Sequence, residues 1–152
     1  MADANPTPDD LLKLDNQVCF AIVTAARNVV SIYRPILEPL GLTHPQYLVM
    51  LALWESSPRT LRGLADELAL EPATLSPLVK RLEAQGLVVR ERNPVDERRL
   101  DLTLTADGAA LRERALGVPP QVMRAVGLQA EALLALRDAL APFAGSAHVP
   151  AS

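Results

Sequence analysis

Two helices and a hairpin are predicted in succession between residues 60 and 104, and this order constrains the fold more than any other stretch. The first helix carries apolar residues at the i, i+3, i+4 and i+7 positions of one buried face: Leu61, Leu64, Ala65 and Leu68. A second helix starts near Glu71, because Pro72 suits a first helical turn, and Gly86 is a typical left-handed stop. Its buried face consists of Leu75, Leu78, Val79 and Leu82.

A hairpin is predicted directly after the second helix. Leu87 and Val89 alternate with Val88 and Arg90, and in the second strand Leu100, Leu102 and Leu104 alternate with Asp101 and Thr103. We therefore expect one apolar face formed by Leu87, Val89 and the three leucines. The intervening residues 92–99 are charged and turn-forming. Two short helices followed by such a hairpin are typical of a winged helix-turn-helix, a unit that presents its second helix to DNA.

The outward face of the second helix carries small and hydroxyl residues first and cations after them. Its outward and flanking positions include Ala73, Thr74, Ser76, Pro77, Lys80, Arg81 and Ala84. Short side chains let a recognition helix approach base edges, and cations meet phosphates. The alternative is an ordinary solvated face, since any surface helix can carry such residues.

The charged hairpin loop contains the sequence Asp96-x-Arg98, followed by Arg99. An arginine at the tip of a protruding hairpin suits a narrow minor groove, although such a loop can also be merely solvated. The order of helix, helix and wing, together with Asp96-x-Arg98, resembles the MarR family of bacterial regulators. The resemblance implies that Arg98 enters the minor groove and that Asp96 braces the wing.

Length and charge limit how such a unit could bind DNA. A chain of 152 residues with 49% hydrophobic content is one domain in size and leaves no room for a separate catalytic domain. The net charge of −3 argues against binding nucleic acid through bulk charge. Residues 76–99 hold six cations and four acids, a small local surplus. We therefore expect placed contacts from a homodimer on a near-palindromic double-stranded operator.

Other classes of protein fit the sequence less well. The first residues form no basic leader, and no apolar run approaches the roughly 20 residues of a membrane span, so we expect a cytoplasmic protein without membrane partners. One cysteine cannot form an internal disulfide, and His44 and His148 match no metal-binding spacing. The sequence predicts neither a metal site nor a cofactor.

The predicted fold is mainly α with a small β-hairpin wing, in one domain. Residues 1–10 are polar and are expected to form a mobile arm. Helical segments in residues 11–58 and 105–144 are expected to form a dimerisation region around the winged unit at 60–104. Residues 145–152 are expected to be a disordered tail.

Several boundaries within the helical regions can be predicted. A helix begins around residues 9–11 and is apolar on nearly every side from Leu14 to Tyr33, which suggests burial between subunits. Pro35 and Pro39 weaken or end it. Thr43 and Gln46 form a capping box for a helix at 44–55. Residues 118–120, Val-Pro-Pro, interrupt the C-terminal helix.

The residues around Cys19 resemble the organic-hydroperoxide-sensing branch of the MarR family. The matching segments are Asn16-Gln17-x-Cys19-Phe20, Tyr33-Arg34-Pro35 and Pro45-Gln46-Tyr47 through to Trp54-Glu55. The resemblance implies that Cys19 is the peroxide sensor and that Tyr33 hydrogen-bonds to its sulfur. His44 stands where that branch usually has a second tyrosine, and Tyr47 is a further candidate. The alternative is that Cys19 is an inert small hydrophobe and His44 an ordinary polar residue.

Spacing along the helix limits how Cys19 and Tyr33 could meet. They are 14 residues apart, which is about 21 Å along one helix, so Tyr33 of one subunit would have to reach Cys19 of the other. Without a second cysteine, a sulfenic acid on Cys19 would react with a small thiol, cyclise to a sulfenamide or advance to sulfinic acid.

The sequence therefore favours a repressor, not an enzyme, that is released from DNA by an organic hydroperoxide. One alternative keeps the DNA binding but places a phenolic or other small ligand in the cleft between the helices. A more distant alternative is a thiol peroxidase, but the sequence has no second cysteine to resolve the oxidised one.

Overall fold

The computed structural model describes residues 5–145, and this part of the chain is mainly helical with one small sheet. The helices are α1 (Pro8–Leu11), α2 (Val18–Leu37), α3 (His44–Glu55), α4 (Leu61–Glu67), α5 (Pro72–Ala84), α6 (Ala106–Ala115), α7 (Val118–Val126) and α8 (Ala130–Leu140). Short 3₁₀ turns lie at Leu14–Asn16, Glu38–Leu40 and Ala141–Phe143. The strands are β1 (Arg59–Thr60), β2 (Val88–Arg92) and β3 (Leu100–Leu104).

Helices α4 and α5 and the β2–β3 hairpin form the winged helix-turn-helix, which confirms the predicted fold class. The sheet is antiparallel in the order β1-β3-β2. Strand β1 was not predicted, because two residues are too few to show an alternating pattern. Its pairing of Arg59 with Leu102 ties the start of the reading unit to the hairpin.

The predicted apolar face of the first hairpin strand is wrong. Val88 lies opposite Leu104, and Val88 is 1% exposed whereas Val89 is 36% exposed. The end of α5 explains the shift of one residue. Gly86 has φ +76°, and the N–H of Leu87 donates to the carbonyl of Leu82 over 3.0 Å, so Leu87 completes the helix cap instead of starting the strand.

Helix α3 lies at the centre of the core. Its predicted capping box is present: the Thr43 hydroxyl accepts from the N–H of Gln46, and the Gln46 amide oxygen accepts from the N–H of Thr43. Elements α2, α5, α6 and β3 pack around it. The largest fully buried side chains are Leu37, Val49, Met50, Leu53, Leu64, Leu75, Val79, Leu82, Val88, Leu102 and Val118.

Gly108 sets the distance between α6 and the end of the recognition helix. A Cβ at this position would overlap the backbone carbonyl oxygen of Leu87. The carbonyl of Gly108 also accepts a hydrogen bond from the indole N–H of Trp54 over 2.8 Å. The close approach of two backbones therefore joins the helical region to the winged unit.

The N-terminal part differs from the prediction in two places. The long helix starts at Val18, after α1 and a 3₁₀ turn that the Asn16 side chain stabilises by donating to the carbonyl of Asp10 over 2.7 Å. At its other end α2 stops at Leu37, between the two prolines that were predicted to weaken or end it, and Pro35 is tolerated because only one intrahelical bond is lost so close to the terminus. Within the expected arm, residues 1–4 lie outside the described part and residues 8–10 are helical.

The C-terminal interruption is confirmed, since α7 starts at Val118 with prolines in its first turn. The expected tail lies outside the described residues except for residue 145.

Much of the apolar surface of the terminal helices is exposed in the single chain. The exposed large apolar residues of α2 and α8 are Val18, Phe20, Val23, Val30, Leu134 and Leu136. The predicted burial of α2 therefore does not occur within one subunit. No helix among residues 5–145 is both long enough and apolar enough to span a bilayer.

Candidate DNA interface and sensor site

The outward face of α5 presents the predicted DNA-reading residues to solvent. Thr74, Pro77, Lys80 and Arg81 are exposed, and Ser76 is partly buried. The opposite face of α5 is fully buried through Leu75, Val79 and Leu82. A helix held on one side by the core leaves the other side free to enter a groove.

The wing loop is ordered by its own side chains. Asn93 Oδ1 accepts from the N–H groups of Val95 and Asp96 over 2.9 and 3.1 Å. Asp96 Oδ1 accepts from the N–H of Arg98 over 3.1 Å, and the Asp96 carbonyl accepts from the N–H of Arg99 over 3.0 Å. Asp96 therefore fixes the backbone that carries both arginines, whose side chains are exposed.

Ion pairing divides the cations of the winged unit into two groups. Arg90 is paired with Glu83 over 2.7 Å, so its charge is largely neutralised by this neighbour. Within residues 5–145, the other cations of α5 and of the wing take part in none of the ion pairs: Lys80, Arg81, Arg92, Arg98 and Arg99. The recognition helix and the wing thus carry the free positive charge that the sequence predicted for a DNA interface.

The structure brings three of the four candidate sensor residues together. The rings of Tyr33 and His44 have centroids 4.6 Å apart, and those of Tyr33 and Tyr47 are 5.9 Å apart. We call these three residues the aromatic cluster. Cys19 is exposed near the other end of α2, about 21 Å from Tyr33 along the helix axis, so it does not meet the cluster of its own chain.

Burial keeps the aromatic cluster uncharged at neutral pH. It lowers the pKa of His44 and raises the pKa of Tyr33. The pKa of Tyr47 is raised by burial and further by the nearby Tyr33. His44 is the first residue of α3, where the positive end of the helix dipole also favours the neutral imidazole. The cluster can therefore donate and accept hydrogen bonds without an ion.

We expect acid to destabilise the protein through His44. Because folding lowers the pKa of His44, the unfolded chain binds the extra proton first. The contribution of His44 to stability is therefore present above the unfolded pKa of about 6.5 and is lost as pH falls through the folded pKa. Urea unfolding of the protein between about pH 8 and pH 5 measures this loss.

The His44→Phe variant provides the comparison for this pH dependence. Its free energy of unfolding should fall less over the same pH range, because a phenyl ring binds no proton. Parallel pH profiles for the two proteins would show that His44 titrates alike in the folded and unfolded chains.

A cavity of about 340 Å³ lies between α3, α6 and the start of α7. Its lining residues are Tyr47, Leu51, Trp54, Glu55, Arg112, Ala115, Leu116 and Pro119. The walls are mainly apolar and include the carboxylate of Glu55 and the guanidinium of Arg112. Sequence reasoning missed this cavity because its residues are far apart in the chain and follow no local pattern. It also missed Gln85 at the end of α5, whose side chain hydrogen-bonds to Gln46 of α3 and to Gly41 in the turn before α3.

Comparison with known proteins agrees with this arrangement. Residues 42–100 match the family model of the MarR family. The organic hydroperoxide resistance transcriptional regulator of Bacillus subtilis (strain 168) is 40% identical over 131 residues, which cover 86% of this chain and 89% of that protein.

Two solved structures share both the fold and part of the sequence. The overoxidized form of AbfR from Staphylococcus epidermidis, bound to DNA, has a TM-score of 0.68 at 35% identity over 87% of this chain and 93% of AbfR. BpsR of Bordetella bronchiseptica, whose DNA binding is regulated by 6-hydroxynicotinic acid, has a TM-score of 0.76 at 26% identity over 88% of this chain and 97% of BpsR. The chain therefore belongs to the MarR family and is a DNA-binding transcriptional regulator built on a winged helix-turn-helix.

Proposed function

We propose that the chain is a homodimeric repressor that leaves its operator when an organic hydroperoxide oxidises Cys19. The observation that carries the proposal is the placement of an exposed thiol and an aromatic cluster at opposite ends of one apolar helix. The identity with the Bacillus subtilis hydroperoxide regulator supports the same inducer.

The exposed apolar surface of α2 and α8 supports a dimer. Side chains such as Phe20 and Val23 would bury this surface against a second copy, which is the usual way for a helix that is apolar on most sides to leave water. In an antiparallel crossing of the two α2 helices, Cys19 of one subunit reaches Tyr33, His44 and Tyr47 of the other. The sensor then lies within the dimer interface.

The proposed chemistry is a two-electron oxidation of sulfur. The Cys19 thiolate attacks the terminal, hydrogen-bearing oxygen of the hydroperoxide, an S–O bond forms as the O–O bond breaks, and the alkoxide leaves and takes a proton from solvent to become an alcohol. Cys19 becomes a sulfenic acid, and a low-molecular-weight thiol can then condense with it to give a mixed disulfide and water. The hydroxyl of Tyr33 and the ring of His44 would supply hydrogen bonds to the altered sulfur.

The proposed DNA contacts follow from the exposed faces of α5 and the wing. In the major groove, Thr74, Ser76 and Pro77 would lie near base edges, while Lys80 and Arg81 meet phosphates. Arg98 would enter the minor groove, supported by Asp96 and flanked by Arg99. Two copies related by a two-fold axis would read a near-palindromic operator with half-sites about one helical turn apart.

Arg98→Ala should weaken operator binding by about 1 to 3 kcal/mol, because the side chain is exposed at a braced wing and would lose its minor-groove contact. Fluorescence anisotropy with labelled operator at physiological salt measures the change. Arg124→Ala on α7 removes an exposed arginine that lies outside the winged unit and takes part in no ion pair among residues 5–145, and it is the matched control. Equal affinities of Arg98→Ala and the native chain would leave the wing without a role in binding.

A gel-shift assay with the DNA upstream of the chain's own gene tests the proposal. The expected result is a shifted complex that disappears on addition of cumene hydroperoxide and returns after dithiothreitol. A complex that survives peroxide while Cys19 is oxidised, as measured by mass spectrometry, would contradict the proposed switch. Peroxide consumption far beyond one equivalent per chain in the presence of a thiol would instead indicate a thiol peroxidase.

The cavity between α3 and α6 favours a second candidate, a repressor released by a small aromatic acid. Its size and apolar walls suit one aromatic ring, and Arg112 could pair with a carboxylate. BpsR, which is similar in fold, responds to a compound of this kind. In the same gel-shift assay, release by an aromatic acid that persists in Cys19→Ser would favour this candidate over the peroxide sensor.

A further inference from the structure

Apart from the phenol of Tyr47, Gln46 is the only polar side chain buried among the described residues, with 4% of its surface exposed. Its amide oxygen accepts from the N–H of Thr43 over 2.9 Å in the first turn of α3. Its amide nitrogen faces the amide oxygen of Gln85 at the longer distance of 3.4 Å. A buried amide must satisfy its polar atoms, so Gln46 fixes the first turn of α3 relative to Gln85.

Gln85 is the C-terminal cap residue of the recognition helix α5. Its amide nitrogen donates to the backbone carbonyl of Gly41 over 2.7 Å, and its own backbone N–H donates to the backbone carbonyl of Arg81 over 3.0 Å. One side chain therefore bonds the end of α5 to both the turn before α3 and the first turn of α3. No other side-chain hydrogen bond within residues 5–145 joins α5 to these two turns.

The aromatic cluster contacts the same first turn of α3. His44 is the first residue of α3, Tyr47 follows one residue after Gln46, and both rings lie near Tyr33 of α2. The first turn of α3 thus carries two members of the cluster and one partner of Gln85. Gly41, whose carbonyl accepts from Gln85, lies three residues before His44, so a displacement of this turn can reach the backbone to which Gln85 is bonded.

We infer that Gln85 is a positioning residue that couples the aromatic cluster to the orientation of the recognition helix. The inference rests on the proposed function, since it describes how oxidation of Cys19 reaches the DNA interface. In the DNA-binding arrangement, the bonds from Gln85 hold the end of α5 against the turn before α3. When the oxidised sulfur displaces the cluster, this turn moves and the bonds break.

A contact made in only one of two states contributes to the equilibrium between them. Without the bonds of Gln85, the reduced protein loses part of the free energy that holds α5 in its DNA-binding orientation. The oxidised protein has already lost these bonds, so its DNA affinity stays the same. The ratio of the two affinities should therefore fall by about fivefold, the typical effect of one net hydrogen bond.

The test compares Gln85→Met with the native dimer. Methionine has nearly the length of glutamine but forms none of its strong hydrogen bonds. The dissociation constant for labelled operator is measured before and after one equivalent of cumene hydroperoxide, and oxidation of Cys19 is measured by mass spectrometry in the same samples. Gln121→Met is the matched control, because the amide of Gln121 bonds only to Gly117 in the same turn of its own helix.

A second variant separates the two bonds of Gln85. Gln85→Glu keeps an acceptor for Gln46 but turns the donor to Gly41 into a carboxylate oxygen that faces the Gly41 carbonyl, so its affinity ratio should be no higher than that of Gln85→Met. Cys19 should be oxidised at the same rate in all of these proteins.

The outcomes distinguish the coupling from the proposed function. A lower affinity ratio in Gln85→Met, with normal oxidation and an unchanged ratio in Gln121→Met, supports the coupling. An unchanged ratio in both Gln85 variants, or an equal loss of affinity in both redox states, overturns it while leaving the peroxide switch intact. Failure of peroxide to release the native protein after oxidation of Cys19 overturns the proposed function and the coupling with it.

Discussion

Cys19→Ser is expected to bind operator DNA as tightly as the native chain and to stay bound when an organic hydroperoxide is added. Serine is close to cysteine in size, and Cys19 lies on α2, outside the winged unit, so the substitution should leave the DNA-reading surface as it is. A hydroxyl group cannot become a sulfenic acid, so the chemical signal is lost. A chemical change at one site typically alters the affinity of a second site by about 5- to 150-fold. We expect peroxide to lower the operator affinity of the native chain by a factor in this range and to leave that of Cys19→Ser unchanged.

The measurement is the dissociation constant for operator with and without cumene hydroperoxide, at protein concentrations well above and below that constant. Cys19→Ala controls for a special effect of the serine hydroxyl and should behave in the same way. Release of either variant by peroxide would mean that the sensor is a residue other than a cysteine, because Cys19 is the only cysteine of the chain.

Gly108→Ala is expected to lower the free energy of unfolding by about 3 kcal/mol or more, at the upper end of the cost of overpacking. The added Cβ would overlap the carbonyl oxygen of Leu87, which is backbone and cannot rotate away. Any adjustment must move α6 from the end of α5 and strain the hydrogen bond between Trp54 and Gly108. Urea unfolding at neutral pH, followed by tryptophan fluorescence, measures the loss.

Gly117→Ala is the matched control for this substitution. Gly117 has φ −79°, and its added Cβ would meet ordinary van der Waals contacts at 3.6 Å and beyond. The two alanine variants therefore differ in the space available but not in the group added. Similar unfolding midpoints for both would mean that α6 can shift away from Leu87 at little cost.

The winged unit was predictable because its helices and strands carry local signals. Leu75, Val79 and Leu82 follow the helical period, and Pro72 and Gly86 mark the ends of α5. The hairpin register was missed by one residue, because a strand pattern alone does not show where the preceding helix cap ends.

The candidate sites were predictable only in part. Each residue of the aromatic cluster was named from the sequence, but the contact between Tyr33 on α2 and His44 on α3 depends on how two helices pack. The bond between Gln85 and Gly41 joins residues that are far apart in the sequence, and neither position has a local signature. The role of Cys19 came from the resemblance, and those of the outward residues of α5 came from the helical period and from their size and charge; all of these roles stay predictions.

The exposed apolar surface of α2 and α8 makes the proposed repressor subject to mass action. In the proposed homodimer these helices would reach their full stability only when the second chain covers them, so the unfolding midpoint should rise with protein concentration. Operator occupancy then depends on the square of the concentration of free chains whenever these chains are mostly monomeric. A cell with few copies would leave the regulated gene partly expressed even without an oxidant, and a modest increase in synthesis would silence it steeply.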